Sequence, residues 1–267
     1  MSNIFRYLVL SIFISCNSNA SEIPSEELEF PFTLINEKIL FIGNSFTFYW
    51  NLPSQVERMS IERGLNWEVS HFTVPSARLK DHWNNPDLKS ILESETFDHV
   101  IIQEHSTNIL TGEDGNPEFY FGQITSLIPD STSIHFFSTW MYPSMEDLNI
   151  NNEEYPIEES IKQIIDGTTT QIIPVGRAFK LFQEKYPQVD ILMEDNKHPN
   201  PNGSYLASCV IFSHISFNHT CCTESPTRTT IPLISDYGQR TRKIFSNIKF
   251  LPRWRKILSS HCLKHIG

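Results

Sequence analysis

The 267-residue chain is 39% hydrophobic and 19% charged, with 31 Asp and Glu against 21 Lys and Arg for a net charge of −10. That length and apolar content suit a single sizeable core. The acidic balance argues against nucleic acid as a partner, because holding phosphates takes a basic face.

The chain opens with Arg6 and the apolar run Tyr7-Leu8-Val9-Leu10-Ser11-Ile12-Phe13-Ile14, which is too short to span a bilayer. With Ser18-Asn19-Ala20 behind it, residues 1–20 read as a signal peptide cleaved after Ala20. Phe13-Ile14-Ser15-Cys16 also resembles a lipoprotein box, so a chain lipid-anchored at Cys16 is the alternative. Export to a periplasm or beyond is expected in either case, with membrane contact only through such an anchor. Residues 21–36 are polar and read as a linker.

Lys38-Ile39-Leu40-Phe41-Ile42 is a buried-strand pattern that breaks at Gly43-Asn44-Ser45. A helix is predicted from Leu52 to Gly64, a strand from Trp67 to Val74, and a helix over Leu79–Glu93 with a break near Asn85-Pro86. Phe97–Ile102 and Ser133–Ser138 follow as β-branched or aromatic strands, with a helix ending near Leu127 between them. A polar loop from Met145 to Glu154 leads into a helix through Ile165, then a short strand at Ile172–Val175 and a helix from Gly176 to Tyr186. A last helix opens near Asn202. This β-α alternation predicts an α/β fold: one domain over residues 37–218, with a doubly wound, mostly parallel, five-stranded sheet between two helical layers.

Residues 219–267 form a basic extension that packs on the domain or trails from it. From Tyr237 to Gly267 it carries eight Lys and Arg and no Asp or Glu. Apart from Cys16 the cysteines are Cys209, Cys221, Cys222 and Cys262. Cys209 falls in an apolar helical pattern and reads as a buried free thiol, while the pairing of the others is not legible. Without a CxxC spacing or a companion His cluster, no metal site is expected.

Two distant stretches carry the chemistry. Ser45 follows a strand's carboxyl end, where ligands bind in open α/β sheets, although Ser there is equally a helix cap. Far downstream lies Asp195-Asn196-Lys197-His198-Pro199. An Asp and a His three residues apart can meet across one tight bend, the carboxylate holding the ring's Nδ1–H and leaving Nε2 as a base. Nucleophile, base and orienting acid then stand in a workable order.

These blocks resemble the SGNH (GDSL-like) hydrolase superfamily, in particular a bacterial branch with a Gly-Asn-Ser-Phe-Thr first block and an Asp-x-x-His-Pro last block. The resemblance runs from about Lys38 to about Ser216. It implies a flavodoxin-like three-layer α/β/α sandwich, with Ser45 as nucleophile, Asp195 as orienting acid and His198 as general base. It also implies an oxyanion hole made by the N–H of Ser45, a second-block N–H and a third-block amide. The second block is Pro75-Ser76-Ala77-Arg78-Leu79-Lys80-Asp81-His82-Trp83, with Pro75-Ser76 where that branch carries Gly-Gly, so Ser76 is the expected donor. In Gln103-Glu104-His105-Ser106-Thr107-Asn108 the expected amide is Gln103, with Asn108 as alternative. Asn44, His82, Trp83, His105 and Trp140 are candidates for lining the substrate pocket.

The implied activity is hydrolysis of carboxylic esters through an acyl-enzyme, without cofactor, and a carbohydrate O-acetyl ester is the favoured substrate. An O-acetyltransferase, a lipase- or thioesterase-like enzyme, and a non-catalytic carbohydrate-binding domain of the same fold are the alternatives.

Overall fold

The computed structural model describes residues 36–149 and 151–218. The expected signal peptide, all of the linker before residue 36, the basic extension and Cys221, Cys222 and Cys262 lie outside the described residues. Five strands alternate with helices: β1 Lys38–Gly43, β2 Glu68–Thr73, β3 His99–Ile102, β4 Ser133–Phe137 and β5 Gln171–Ile173. Between and after them run α1 Ser45–Phe48, α2 Leu52–Glu62, α3 Leu79–Trp83, α4 Pro86–Ser94, α5 Asn108–Thr111, α6 Pro117–Thr125, α7 Pro156–Ile164, α8 Val175–Lys185 and α9 Pro201–Asn218.

Every strand pair is parallel, and the order across the sheet is β2-β1-β3-β4-β5. The chain therefore winds one way from β1 to β2 and the other way from β3 onward. The reversal lies between β1 and β3, and in such sheets the crevice outside the strand ends at that point is where ligands bind. Helices α2, α8 and α9 pack together as one layer, and α3 to α7 form the other. This is the expected doubly wound α/β sandwich, with the sheet parallel throughout.

Burial explains the order. In β1 only Lys38 is exposed and all of β3 is buried, so these strands must lie centrally, covered on both faces. In β2, Glu68, Ser70 and His71 are exposed, which suits an edge where polar side chains discourage further pairing. Cys209 is half-buried in α9 rather than fully buried as expected. Differences from the sequence expectation are local. Asn85 caps α4 by accepting the Asp87 N–H, which makes the expected break between α3 and α4. Val175 belongs to α8 rather than to the strand before it, because Pro174 gives the sheet no N–H donor. The short helices α1 and α5 escaped the periodicity reading, since four residues are too few to show a period.

A row of imidazoles links three elements inside this core. His99 Nδ1 lies 2.9 Å from His135 Nε2, and His135 Nδ1 lies 3.2 Å from His214 Nε2 on α9. Each N···N bond needs one ring nitrogen unprotonated. Burial first, and then the neighbouring His99, hold His214 down at about 4. A histidine depressed in the folded state takes up protons more readily when unfolded, so stability is lost as the pH falls through this range. Acidification from about pH 6.5 to about 4 is therefore expected to lower the melting temperature, less steeply in a His214→Gln variant. Equal slopes by calorimetry in both chains would remove His214 as a cause.

Candidate active site

Ser45 follows β1 directly, at the sheet's reversal point. Its hydroxyl Oγ lies 2.9 Å from His198 Nε2, and His198 Nδ1 lies 2.6 Å from Asp195 Oδ2. Residues separated by 150 positions in sequence are thus in one hydrogen-bonded row. The cap that the sequence offered to Ser45 is supplied by its neighbour. Asn44 caps α1, its Oδ1 accepting the Phe46 N–H at 3.1 Å, which leaves the Ser45 hydroxyl for the imidazole.

The Asp195–His198 bend is a closed loop. The Met193 N–H donates to the His198 carbonyl at 2.8 Å, and Leu192 bridges to Pro199. Asn196 turns the chain at φ +52, a conformation Asn tolerates better than most residues. Two indoles hold the flanks: Trp140 Nε1–H donates to the Lys197 carbonyl at 3.1 Å, and Trp50 Nε1–H to the Pro199 carbonyl at 2.7 Å. The imidazole packs among Phe46 and Tyr49, with ring centroids 5.4 and 4.6 Å away.

Partial burial pushes the Asp195 carboxyl upward. Hydrogen bonds from the His198 ring and from the N–H groups of Lys197 and His198 outweigh it and bring the carboxyl down to about 2. Asp195 therefore stays ionised throughout the neutral and mildly acid range, able to hold an imidazolium.

The second block crosses beside this row as a β-turn, the Ala77 N–H donating to the Val74 carbonyl at 3.2 Å. Pro75 takes its second position and Ser76 its third at φ +56, a place that favours glycine. The turn is tied to the first block twice: Val74 N–H to the Gly43 carbonyl at 3.1 Å, and Asn44 Nδ2 to the Ala77 carbonyl at 3.0 Å. Among the described residues, the N–H groups of Ser45 and Ser76 make no hydrogen bond.

The third block departs from expectation. Gln103 is fully buried, and its Oε1 accepts both the Asn44 N–H and the Thr47 hydroxyl at 2.9 Å. Its Nε2 donates to the Glu104 carbonyl at 2.6 Å. Two donors on Oε1 leave no freedom to flip the amide, so Gln103 braces the turn that carries Ser45 and gives one Nε2 hydrogen to the Glu104 carbonyl. Asn108 is no substitute, because its Oδ1 accepts the Asp114 N–H and its Nδ2 reaches the Gly115 carbonyl. Both third-block amides thus hold neighbouring backbone groups in place.

The substrate-lining candidates divide similarly. Asn44 is spent on the cap and the second block. His82 is fully buried on α3, edge-on to Phe72, where burial above all lowers it to about 4. Trp140 is only 2% exposed, stacked on Phe179 at 3.9 Å and tilted against Phe46, so neither face is open to a ligand. Trp83 carries the Lys89 ammonium over its ring at 3.9 Å. His105, like Trp83, is half-buried, its Nδ1 bonded to the Thr107 hydroxyl. Burial, followed by the charges of Lys197 and Arg78, lowers its pKa, which favours the neutral ring.

Trp50 was missed by the sequence reading, and Glu104 was noted only as a member of the third block. Glu104 is buried, with its Oε2 accepting the Leu79 N–H and its Oε1 the His105 N–H, so it ties the second block to the third. Burial pushes its carboxyl up to about 7, against the lowering effect of those two N–H groups. Trp50 is exposed beside His198. A separate cleft of about 450 Å³ opens beyond Trp140, lined by Glu153, Glu154, Tyr155, Arg177 and Lys180, but neither Ser45 nor His198 reaches it.

No family model and no curated protein matches the chain. Solved structures do. A candidate SGNH hydrolase from Slackia heliotrinireducens superposes with a TM-score of 0.57 at 21% identity, covering 67% of this chain and 99% of its own. A family 3 carbohydrate esterase from Clostridium thermocellum gives 0.53 at 12% identity, covering 70% and 100%. A lipase/acylhydrolase from Enterococcus faecalis gives 0.53 at 15% identity, covering 72% and 100%. The chain shares the α/β/α fold of these proteins.

The bracing role of Gln103 is testable. Gln103→Leu strands two buried donors, each costing about 1–3 kcal/mol, so unfolding stability should fall by about 2 kcal/mol or more. A variant as stable as the parent in urea, yet impaired with an ester, would restore the donor role. Gly43→Ala should destabilise as well, because the added Cβ would meet Thr47 Oγ1 and lie 2.7 Å from Gln103 Oε1.

Proposed function

We propose that the chain is an exported ester hydrolase that works through an acyl-enzyme on Ser45, with a carbohydrate O-acetyl ester as substrate. The observation that carries the reaction type is the row Asp195–His198–Ser45, with its 2.6 and 2.9 Å links. The apolar run at residues 7–14 supports export. A carbohydrate esterase among the structures of the same fold is compatible with the substrate.

His198 Nε2 removes the hydroxyl proton as Ser45 Oγ attacks the ester carbonyl carbon, and the carbonyl oxygen becomes an oxyanion. The unspent N–H groups of Ser45 and Ser76 are the donors assigned to it. One such donor is worth about 3–4 kcal/mol where charge develops in a water-poor site. The imidazolium, held by ionised Asp195, then returns its proton to the leaving alkoxide oxygen as the carbon–oxygen bond breaks. Water attacks the acyl-enzyme, giving its proton to His198, and the second tetrahedral intermediate collapses to carboxylic acid and free Ser45.

The strained Ser76 fits this scheme. A positive φ outside glycine costs about 1–2 kcal/mol, and such strain persists where the surroundings over-determine it. Here it holds a backbone N–H free beside the nucleophile turn.

A fluorophosphonate probe should label Ser45 of the wild-type chain and not Ser45→Ala. With 4-nitrophenyl acetate, Ser45→Ala and His198→Ala are expected to lose about 10⁴-fold or more in kcat while keeping the parent's circular dichroism. Undiminished turnover in either purified variant would sink the assignment. Asp195→Asn should lose about 10⁴-fold in kcat, because the tautomer of His198 is then no longer held.

A further inference from the structure

Trp50 sits in a conformation that its packing alone does not call for. Its φ is +55 and that of Asn51 is +57, two consecutive non-glycine residues in the left-handed region. A bulky residue is a true outlier there. Four polar links over-determine this turn. Gln55 Nε2 donates to the Trp50 carbonyl at 2.8 Å, and the Ser204 hydroxyl to the Tyr49 carbonyl at 3.1 Å. The Ser208 hydroxyl holds Gln55 Oε1 at 3.0 Å, and the Trp50 indole N–H is tied to the Pro199 carbonyl. Yet the indole remains 47% exposed. The strain is sustained and the ring is immobilised, but the apolar area is left in water. Strain of this kind collects at ligand clamps.

Position tells which part of a substrate would meet the ring. In the acyl-transfer scheme above the oxyanion faces the N–H groups of Ser45 and Ser76, and the leaving oxygen must lie within reach of His198 Nε2. Tyr49 packs on the His198 ring, and Trp50 is hydrogen-bonded to the residue that follows it. The aromatic pair therefore flanks the alcohol side of the scissile bond. The surroundings indicate the chemistry of that alcohol. From Ser45 to Gln55 the chain carries no charged side chain; apart from Leu52 and Pro53 it offers hydroxyls, amides and aromatic rings. The indole N–H is already spent, so the ring offers its face, which suits the C–H face of a sugar rather than an ion.

We propose that Trp50 is a stacking platform for the sugar ring of the leaving alcohol and so determines specificity. This rests on the ester-hydrolase reading. The full chain is tested on two acetates that share an acyl group: glucose pentaacetate, which brings a sugar ring, and ethyl acetate, which does not. Trp50→Leu and Trp50→Phe both lose the tether to Pro199 and should therefore turn over ethyl acetate equally, while Trp50→Leu raises KM for glucose pentaacetate about tenfold above that of Trp50→Phe. Trp50→Phe, which keeps a ring face but loses the tether, should recover part of the sugar-ester KM. Equal losses on both acetates would reduce Trp50 to a structural tether, and no loss on either would also overturn the proposal. Should Trp50→Leu not fold, the Ser45→Ala chain decides. Its Trp50 indole N–H resonance, assigned by its absence in Trp50→Phe, should shift on titration with glucose pentaacetate, and a resonance that stays still overturns the platform. A wild-type chain that hydrolyses neither acetate defeats the hydrolase reading instead, and the resonance then judges the platform by itself.

Discussion

Three consecutive carbonyls, those of Lys197, His198 and Pro199, each accept a hydrogen bond from a different part of the chain: Trp140, Met193 and Trp50. Everything about the site depends on this constraint. A histidine on an exposed loop ordinarily samples many positions, because loops carry few buried contacts to restrain them. Here the backbone on both sides of the imidazole is fixed to groups anchored elsewhere. Asp195 then needs only a short reach to accept from the ring, and it does so while largely exposed, where an ion pair by itself is worth little. Geometry contributes more to the pairing than charge does.

The other half of the row is held by the opposite means. Ser45 follows a strand buried along nearly its whole length, and the turn after it is braced by a fully buried carboxamide. Gly43 is required at this turn because the Thr47 and Gln103 side chains occupy the space a Cβ would need. A buried turn carrying Ser45 thus faces a more exposed loop pinned by indoles. Glu104 joins the second and third blocks between them, at the cost of a buried carboxyl. The site is assembled from four separate segments, and each has its own local reason for standing where it does.

Much of this was legible in the chain. Apolar runs of strand length, broken by Gly and Pro and alternating with amphipathic helices, encode a parallel sheet because a strand covered on both faces has to be apolar throughout. The first and last blocks stood out because Ser after a strand end, and Asp-x-x-His within one bend, are local arrangements. The errors came where a residue type permits several roles. Gln103 was read as a donor from its place after β3, but whether an amide faces a pocket or a neighbouring turn depends on which groups the fold presents to it. Trp140 was a candidate for lining the pocket, yet it is buried, stacked on Phe179 and tilted against Phe46. Trp50 went unremarked because nothing local separates an exposed, strained tryptophan from a buried one.

The sequence by itself determined the α/β alternation, the buried character of the first strand, and the nature of the three residues in the row. Those are properties of burial pattern and of short-range spacing, and both are written along the chain. Only the tertiary structure decided that Asn44 caps α1 and so releases the Ser45 hydroxyl, that both third-block amides brace neighbouring backbone, and that one indole is covered while another faces water. Each of these turns on competition between partners far apart in sequence for a limited number of hydrogen bonds and a limited volume, and that competition exists only once the chain has folded.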